Sequence, residues 1–432
     1  MTSWVDHVIW WHVYPLGFAG AGRYPVPHGL RRIEGWLDHL VSLGANGLLL
    51  GPVFTSTTHG YDTTDYLHID PRLGDDSDLD RLVRACHDRG IRVLLDGVFN
   101  HAGREFPPVA QALAEGPGSS AAEWVHRLHD HEGMVTADYF EGHDTLITLN
   151  HASPRVREFI RDVMLHWLRR GIDGWRLDAA YAVPASFWAA VLPSVRKEFG
   201  EAWFVAEMIH GDYAGYVALS GIDSVTQYEL WKAIWSALEN VNLHELDWTL
   251  RRHRHLLEHL VPLTFLGNHD VTRVASQIHD RRHWTHAVAL LGFLPGVPSI
   301  YYGDEFGLEA VKEQRPGGDD AVRPELPDER GQFANPHPEV EAAYRQVMGL
   351  RRRYAWLVDG EVATAEVAND HLVVHVGARR EPGRRLSLVL NLADRPYVAS
   401  GLGEVVESSS PMIGGAVTPH GWAVLAQADA RS

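Results

Sequence analysis

The chain has 432 residues, of which 45% are hydrophobic and 22% charged, and its formal net charge is −17 with histidine neutral. This length suffices for one large core and a smaller domain, and the negative charge argues against a nucleic-acid or anionic-membrane partner. The single cysteine, Cys86, excludes an intrachain disulfide and C-x-x-C motifs. The N-terminus lacks a signal-peptide pattern and no apolar run reaches the length of a membrane span, so we expect a cytoplasmic protein.

Short apolar runs alternate with amphipathic helical stretches, which predicts an α/β fold with a parallel sheet. One predicted helix, residues 78–89, has Asp78 near its start, ends at Gly90 and would bury Cys86. Eight β/α units over this length favour a closed (β/α)8 TIM barrel over an open sheet. The predicted strands, numbered one to eight, are residues 8–14, 47–51, 91–96, 173–178, 203–207, 222–228, 263–268 and 297–302.

Two segments depart from the β/α repetition. A long insertion rich in Gly, Pro and His follows strand three, where a substrate-shaping lobe would project from the strand ends. From about residue 359 short β-type runs separated by turn residues predict a C-terminal antiparallel β domain. We therefore assign residues 1–101 and 151–357 to the barrel, 102–150 to the inserted lobe and 358–432 to the C-terminal domain.

Charged and polar residues gather at the predicted C-terminal ends of the strands, the rim that carries the active site in such barrels. Any one of these carboxylates would be explained by capping of the next helix. Their joint position favours chemistry instead, because buried charges are costly unless they pair or react. They are Asp96, Asn100 and His101 after strand three, Arg176 and Asp178 on strand four, Glu207 on strand five, and Asn268, His269 and Asp270 after strand seven.

Paired carboxylates without a cysteine nucleophile or a phosphate-binding loop point to glycoside hydrolysis, whose retaining form needs two carboxyl groups about 5–5.5 Å apart. Asp178 and Glu207 end neighbouring strands, which lie about 4.8 Å apart and therefore suit that spacing. Arg176 precedes Asp178 by two residues and faces the same side of the strand. We expect its guanidinium to lower the pKa of Asp178 and keep that carboxylate ionised for attack.

The motifs at these strand ends resemble those of glycoside hydrolase family 13, the α-amylase family. D-G-V-F-N-H (96–101), G-W-R-L-D-A-A-Y (174–181), V-A-E-M-I-H (205–210) and F-L-G-N-H-D (265–270) are similar to its conserved regions and stand in the family's order. The resemblance implies that Asp178 is the nucleophile, Glu207 the general acid/base and Asp270 the stabiliser of the transition state. The substrate-binding residues that it implies are Tyr61, which would stack on the sugar face, Asp96, His101, Arg176 and His269.

Two departures from the family's patterns refine this prediction. Thr58 stands where chain-end glucosidases of the family carry Asp, which argues against a strict exo-α-glucosidase and favours an α-1,4-acting enzyme on longer or cyclic glucans. Tyr181 and Ala182 replace the Lys-His pair common in calcium-dependent members. We therefore expect no metal or other cofactor and regard Asn100 as a hydrogen-bonding brace, although the segment 317–320 offers oxygen ligands for a calcium elsewhere.

G-G-D-D-A-V-R-P (317–324) and A-E-M-I-H-G-D-Y (206–213) resemble the cyclomaltodextrinase, neopullulanase and maltogenic amylase group. That group usually bears an extra N-terminal β domain, for which we expect no room before strand one. Its substrate size and oligomeric state therefore do not transfer, and the oligomeric state stays open. The expected partner is an α-glucan or oligosaccharide.

Three functional hypotheses remain at this point. The first is a hydrolase of maltodextrins or cyclodextrins, and the second a transglycosylase or glucosyl isomerase that uses the same covalent intermediate. Tyr181, Trp188 and Trp231 would favour the second if they are exposed near acceptor subsites. The third, a non-catalytic carbohydrate-binding protein, predicts the loss of a catalytic carboxylate, and all three are present. The histidines of segments 126–131 and 251–259 are expected to be surface residues rather than a zinc site.

Overall fold

The computed structural model describes residues 4–22, 24–132, 134–315 and 317–427. At its centre, eight parallel strands follow the order six, five, four, three, two, one, eight, seven. Strands six and seven meet through a bridge between Thr226 and Leu263, so the sheet closes on itself and the predicted (β/α)8 barrel is confirmed. All eight strands were predicted, and in order they are Trp10–Val13, Gly47–Leu50, Arg92–Gly97, Gly174–Leu177, Trp203–Ala206, Ser224–Val225, Leu263–Phe265 and Val297–Tyr301.

Helices surround the barrel and bury their apolar faces against it. The helix Asp76–His87 begins with Asp75, whose carboxylate accepts hydrogen bonds from the backbone N–H groups of Ser77 and Asp78. The cap is therefore Asp75 rather than Asp78, while Cys86 is buried as predicted. The other helices are Pro15–Phe18, Gly29–Glu34, Leu37–Ser42, Pro154–Arg169, Ala185–Glu198, Tyr213–Ser220, Tyr228–Glu239, Leu243–Leu256, Val274–Gln277, Trp284–Phe293 and Pro338–Arg353.

Two excursions from the strand ends stand over the barrel rim. After strand two, the strands Phe54–Ser56 and Thr63–Ile69 pair and enclose the turn that carries Tyr61. After strand three, the strand His143–Thr148 pairs with His101–Gly103 and Tyr139–Phe140 in a small antiparallel sheet. The same insertion holds the helix Pro107–Glu115 and the strand pair Leu128–His131 and Met134–Ala137.

The C-terminal region forms the predicted antiparallel β domain. Its five-stranded sheet is ordered Glu361–Val367, His371–Gly377, Arg385–Asn391, Trp422–Ala426 and Glu404–Ser408. A second pair joins Tyr397–Val398 to Ala416–Val417. Among the residues that the structure describes, no helix combines the length and apolarity needed to cross a membrane.

Candidate active site

Arg176 lies at the centre of the candidate site and binds three carboxylates. Strand register places Arg176 opposite Asp96, and Nη1 of the arginine lies 2.6 Å from Asp96 Oδ2 and 2.9 Å from Asp178 Oδ1. Its Nη2 lies 2.6 Å from Glu207 Oε1. All four side chains are buried, so one guanidinium brings together the ends of strands three, four and five, as their positions in the sequence predicted.

Glu207 receives two further hydrogen bonds. The backbone N–H of Ala179 donates to its Oε2 at 2.9 Å, and the Tyr228 hydroxyl donates to its Oε1 at 3.2 Å. Asn268 Nδ2 in turn donates to the Tyr228 oxygen at 2.8 Å. Sequence reasoning missed Tyr228, because it is not a carboxylate and lies outside every quoted motif, although it is the last residue of the predicted strand six.

The charge balance of this cluster favours retention of a proton. Burial raises the pKa of Asp178 well above its ordinary value, and although Arg176 opposes the rise, the carboxylates of Glu207 and Asp96 add to it. The prediction of a lowered pKa for Asp178 is therefore wrong, because burial and two neighbouring carboxylates outweigh one guanidinium. Burial also raises the pKa of Asp96. Carboxylates this close titrate together, and a shared proton is what a general acid requires.

Asp270 sits in the opposite electrostatic environment. His269 Nε2 lies 2.8 Å from its Oδ2, and Arg323 Nη2 donates to its Oδ1 at 2.9 Å. Burial alone would raise the pKa of Asp270, but His269 and Arg323 outweigh burial and hold it well below the ordinary value. Asp270 is therefore a stably ionised carboxylate. Arg323 belongs to the A-V-R-P segment noted in the sequence, but its link to Asp270 crosses from the region after strand eight to strand seven.

Tyr61 and His269 form a stacked pair beside Asp96. Their ring centroids lie 5.4 Å apart with planes 10° from parallel, and the Tyr61 hydroxyl contacts His269 Nε2 and donates to Asp96 Oδ2 at 3.0 Å. Tyr61 thus packs partly on protein, yet it also lines the substrate-sized cavity described below. Its stacking on a sugar stays a prediction.

His101 lies beside Asp178, with its Nε2 3.9 Å from Asp178 Oδ2. Asn100 Nδ2 lies 3.1 Å from His101 Nδ1, and an amide donor there leaves the ring proton on Nε2, the atom that faces Asp178. Burial lowers the pKa of His101 to about 3, so the ring is neutral. Asn100 thus holds the His101 ring by a hydrogen bond, which is the role that we expected from the sequence.

A cavity of about 430 Å³ opens above this cluster. Asp178, Glu207 and Asp270 all reach it, as do Tyr61 and His101. Asp96, Arg176 and His269 are not among its lining side chains, so they hold the lining residues in place and their contact with substrate stays a prediction.

The three aromatic residues proposed near acceptor subsites separate into two classes. Tyr181 and Trp231 line the cavity, and the Tyr181 hydroxyl donates to Oε1 of Glu141 in the insertion at 2.6 Å. Trp188 is fully buried in the core. Trp188 therefore carries no information about acceptors, whereas the other two present aromatic surface to whatever occupies the cavity.

Groups with metal-ligand character lie away from this site. Within the described ranges, the clusters of three ligating side chains are His255, Glu258 and His259, and Asp280, His283 and His420. Neither includes Asn100 or the segment 317–320, where the Asp319 carboxylate pairs with Lys312 at 3.2 Å and Arg323 at 3.3 Å. The absence of a catalytic metal stays a prediction.

Comparison with known proteins agrees with this geometry. Residues 13–332 match the model of the alpha amylase catalytic domain. A cyclomaltodextrinase of Bacillus sp is 33% identical over 339 residues, which cover 71% of this chain and 60% of that protein. A cyclomaltodextrinase of Geobacillus thermopakistaniensis is 30% identical over 421 residues, which cover 90% of this chain and 69% of that protein. The chain thus spans about three fifths of the first of these relatives.

A solved structure of similar length is the ligand-free cyclic α-maltosyl-(1→6)-maltose hydrolase of Arthrobacter globiformis. It superimposes with a TM-score of 0.83 at 25% identity, and the match covers 98% of this chain and 99% of that one. The matches extend over most of the chain. They agree with the order of the sequence motifs and with the three carboxylates at the rim of the (β/α)8 barrel. The chain belongs to the α-amylase family of glycoside hydrolases.

Proposed function

We propose that this protein is a retaining α-glycosidase that cleaves α-1,4-linked glucans, maltodextrins or cyclodextrins, through a covalent glycosyl-enzyme intermediate. The observation that carries the proposal is the pair Asp178 and Glu207, held on the two terminal nitrogens of Arg176 at the base of the cavity. A shared guanidinium keeps the two carboxyl groups side by side, which is the arrangement that retention requires.

In the first step the proton shared by the cluster lies on Glu207, so the ionised Asp178 carboxylate attacks the anomeric carbon while Glu207 donates that proton to the departing glycosidic oxygen. The C–O bond to the leaving sugar breaks as the ester bond to Asp178 forms. In the second step the Glu207 carboxylate removes a proton from water, and the resulting nucleophile displaces Asp178. Asp270, kept ionised by His269 and Arg323, accepts hydrogen bonds from sugar hydroxyls. These steps use no metal, and we expect activity at 25 °C to survive EDTA.

Thr58 supports an internal or cyclic substrate over a chain end. Its hydroxyl donates to Asp62 Oδ2 at 2.6 Å and its side chain is not part of the cavity lining, so no carboxylate closes the cavity there. The relatives are named cyclomaltodextrinase and cyclic α-maltosyl-(1→6)-maltose hydrolase, and the second was also solved with that cyclic sugar. The lack of a carboxylate at residue 58 and the names of these relatives both favour a cyclic or internal substrate.

The test incubates the full chain with maltoheptaose, β-cyclodextrin, cyclic α-maltosyl-(1→6)-maltose, pullulan and trehalose, and follows products and reducing ends over time. We expect maltoheptaose or β-cyclodextrin to be cleaved and the first products to carry the α-anomer by NMR. Inverted β-products would overturn the retaining mechanism. Cleavage of trehalose alone would overturn the substrate class.

Two variants test the assigned roles. Asp178→Ala should abolish turnover of every substrate while circular dichroism and unfolding temperature show a folded chain. Glu207→Gln should lower hydrolysis of maltoheptaose by about 10²–10⁴-fold. The same variant should retain a burst of fluoride release from α-glucosyl fluoride, because fluoride leaves without protonation. Equal loss on both substrates would contradict the acid role of Glu207.

A second candidate, transglycosylation, is supported by Tyr181 and Trp231, whose rings line the cavity and offer surfaces on which an acceptor sugar stacks. Sugar and water then compete for the same intermediate. Longer oligosaccharides formed from maltoheptaose without a gain in reducing ends would favour transfer. Tyr181→Ala should then shift the product ratio toward hydrolysis, whereas Tyr181→Phe, which keeps the ring, should not.

A further inference from the structure

Two histidines and an aspartate meet where the barrel joins the C-terminal sheet. Asp280 and His283 flank and end the short 3-10 helix Arg281–His283, which leads into the helix Trp284–Phe293. His420 lies in the turn before the strand Trp422–Ala426. One potential ligand atom from each side chain lies within 4.8 Å of the other two, and the Asp280 carboxylate also accepts hydrogen bonds from the Arg282 guanidinium.

The two imidazoles face each other through nitrogen atoms, since His283 Nε2 lies 3.0 Å from His420 Nδ1. The other nitrogen of His420, Nε2, lies 2.7 Å from the Asp394 carboxylate. That carboxylate holds a proton on Nε2 and leaves the lone pair of Nδ1 directed at His283. A histidine whose second nitrogen donates to a carboxylate is the usual arrangement of a metal-bound histidine.

The backbone at His420 supports a role beyond a surface turn. Its φ is 50°, in the left-handed region that non-glycine residues seldom adopt. His283, its partner, is buried. An unfavourable backbone conformation and a buried imidazole thus meet at one contact between the barrel and the C-terminal sheet.

We propose that Asp280, His283 and His420 bind a divalent metal ion of the zinc class and so tie the barrel to the C-terminal domain. Two imidazoles and a carboxylate suit zinc, whose bonds of about 2.0–2.1 Å place tetrahedral ligands roughly 3.4 Å apart. The histidine nitrogens need to separate by only a few tenths of an ångström. The Nε2 proton of His283 is exchanged through solvent to Nδ1, so the ring stays neutral and presents the lone pair of Nε2 to the metal, and water fills the fourth position.

The position of the site predicts a structural effect. His286 Nε2 lies 3.1 Å from the Gly421 carbonyl, and Trp422 Nε1 donates to Thr285 Oγ1 at 3.2 Å, so the same helix and turn already touch. A metal bound there links the helix and the turn only when the chain is folded, because the unfolded chain does not bring its ligands together. It should therefore raise the unfolding temperature without entering the chemistry at the barrel rim. If the two histidines only form a hydrogen bond with each other, the unfolding temperature should not depend on metal.

The test titrates Zn²⁺ and Co²⁺ into the EDTA-treated full chain carrying His255→Asn, which removes the exposed cluster of His255, Glu258 and His259. We expect one ion per chain, visible absorption typical of tetrahedral Co²⁺, and an unfolding temperature that rises with Zn²⁺. His420→Asn should remove all three effects, since asparagine tolerates positive φ better than most residues. His68→Asn, which alters a histidine paired with Asp65 elsewhere on the surface, is the matched control and should leave them unchanged.

Asp394→Asn keeps all three proposed ligands and tests the site even if His420→Asn folds poorly. Its loss of the carboxylate behind His420 should weaken Co²⁺ affinity by about 10–100-fold. Lack of saturable binding in the His255→Asn protein, or equal binding and equal stabilisation in His420→Asn, would overturn the proposal.

Discussion

Arg323 and Asp270 form a charge-assisted hydrogen bond of 2.9 Å that joins the loop after strand eight to the end of strand seven. Arg323 Nε also donates to the backbone carbonyl of His269 at 2.9 Å, and its guanidinium lies 4.5 Å from the centre of the Tyr14 ring. The Arg323 side chain is mostly buried, and these three contacts hold it in place. It positions Asp270 against the cavity and keeps that carboxylate ionised.

Arg323→Gln should therefore lower kcat/KM by about 10–100-fold, since a hydrogen bond to a charged group contributes roughly 1.5–3 kcal/mol. Arg323→Lys keeps the charge and should recover part of the activity. The measurement is kcat/KM on maltoheptaose with the pH profile of each variant. An unchanged kcat/KM for Arg323→Gln would show that Asp270 needs no such support.

Asp178→Asn should stabilise the protein at neutral pH. The folded-state pKa of Asp178 is raised above the unfolded value of about 3.9, so its contribution to stability is fully present below that value and is lost as pH rises toward the folded pKa. Asparagine mimics the protonated side chain and avoids this loss. We expect the variant to unfold at a higher temperature than the parent at pH 7, with the difference shrinking below pH 4. A lower unfolding temperature at pH 7 would contradict the direction of the shift.

His101 should act as a neutral donor to the sugar or to Asp178 throughout the working range, because burial lowers its pKa to about 3. His101→Gln retains a neutral N–H donor, and we expect kcat/KM to fall by about tenfold, the cost of misplacing one hydrogen bond. The acid limb of the pH–rate profile should stay where it is. Movement of that limb in the variant would mean that His101 titrates during catalysis.

Gly174 allows strands four and five to approach closely. A Cβ at this position would lie 2.0 Å from the backbone oxygen of Trp203, so Gly174→Ala must push the two strands apart. We expect unfolding to become easier by about 3 kcal/mol and activity to fall, because Asp178 and Glu207 end these two strands. Gly349→Ala is the control: it lies in the helix Pro338–Arg353 with nothing near its added methyl, and should stabilise by about 0.5–1 kcal/mol. Denaturant unfolding of both variants measures the difference.

The sequence by itself determined the strand order, the closed barrel and the residues at the strand ends. Buried strands read as short apolar runs, and Asp96, Asp178 and Glu207 each end such a run, so local pattern and fold rules sufficed. The sequence also predicted that Arg176 is a neighbour of Asp178, because residues two apart on a strand face the same side.

Only the tertiary structure decided the direction in which the pKa values of Asp96 and Asp178 shift, and the partners that come from distant segments. The pKa of Asp178 depends on burial and on carboxylates from two other strands, which sequence neighbours do not report. Three contacts join residues that are far apart in the chain. Tyr228 and Glu207 are 21 residues apart, Arg323 and Asp270 are 53 apart, and His283 and His420 are 137 apart. Such contacts follow from how strands and domains pack, and the electrostatics of a buried site depends on that packing more than on any motif.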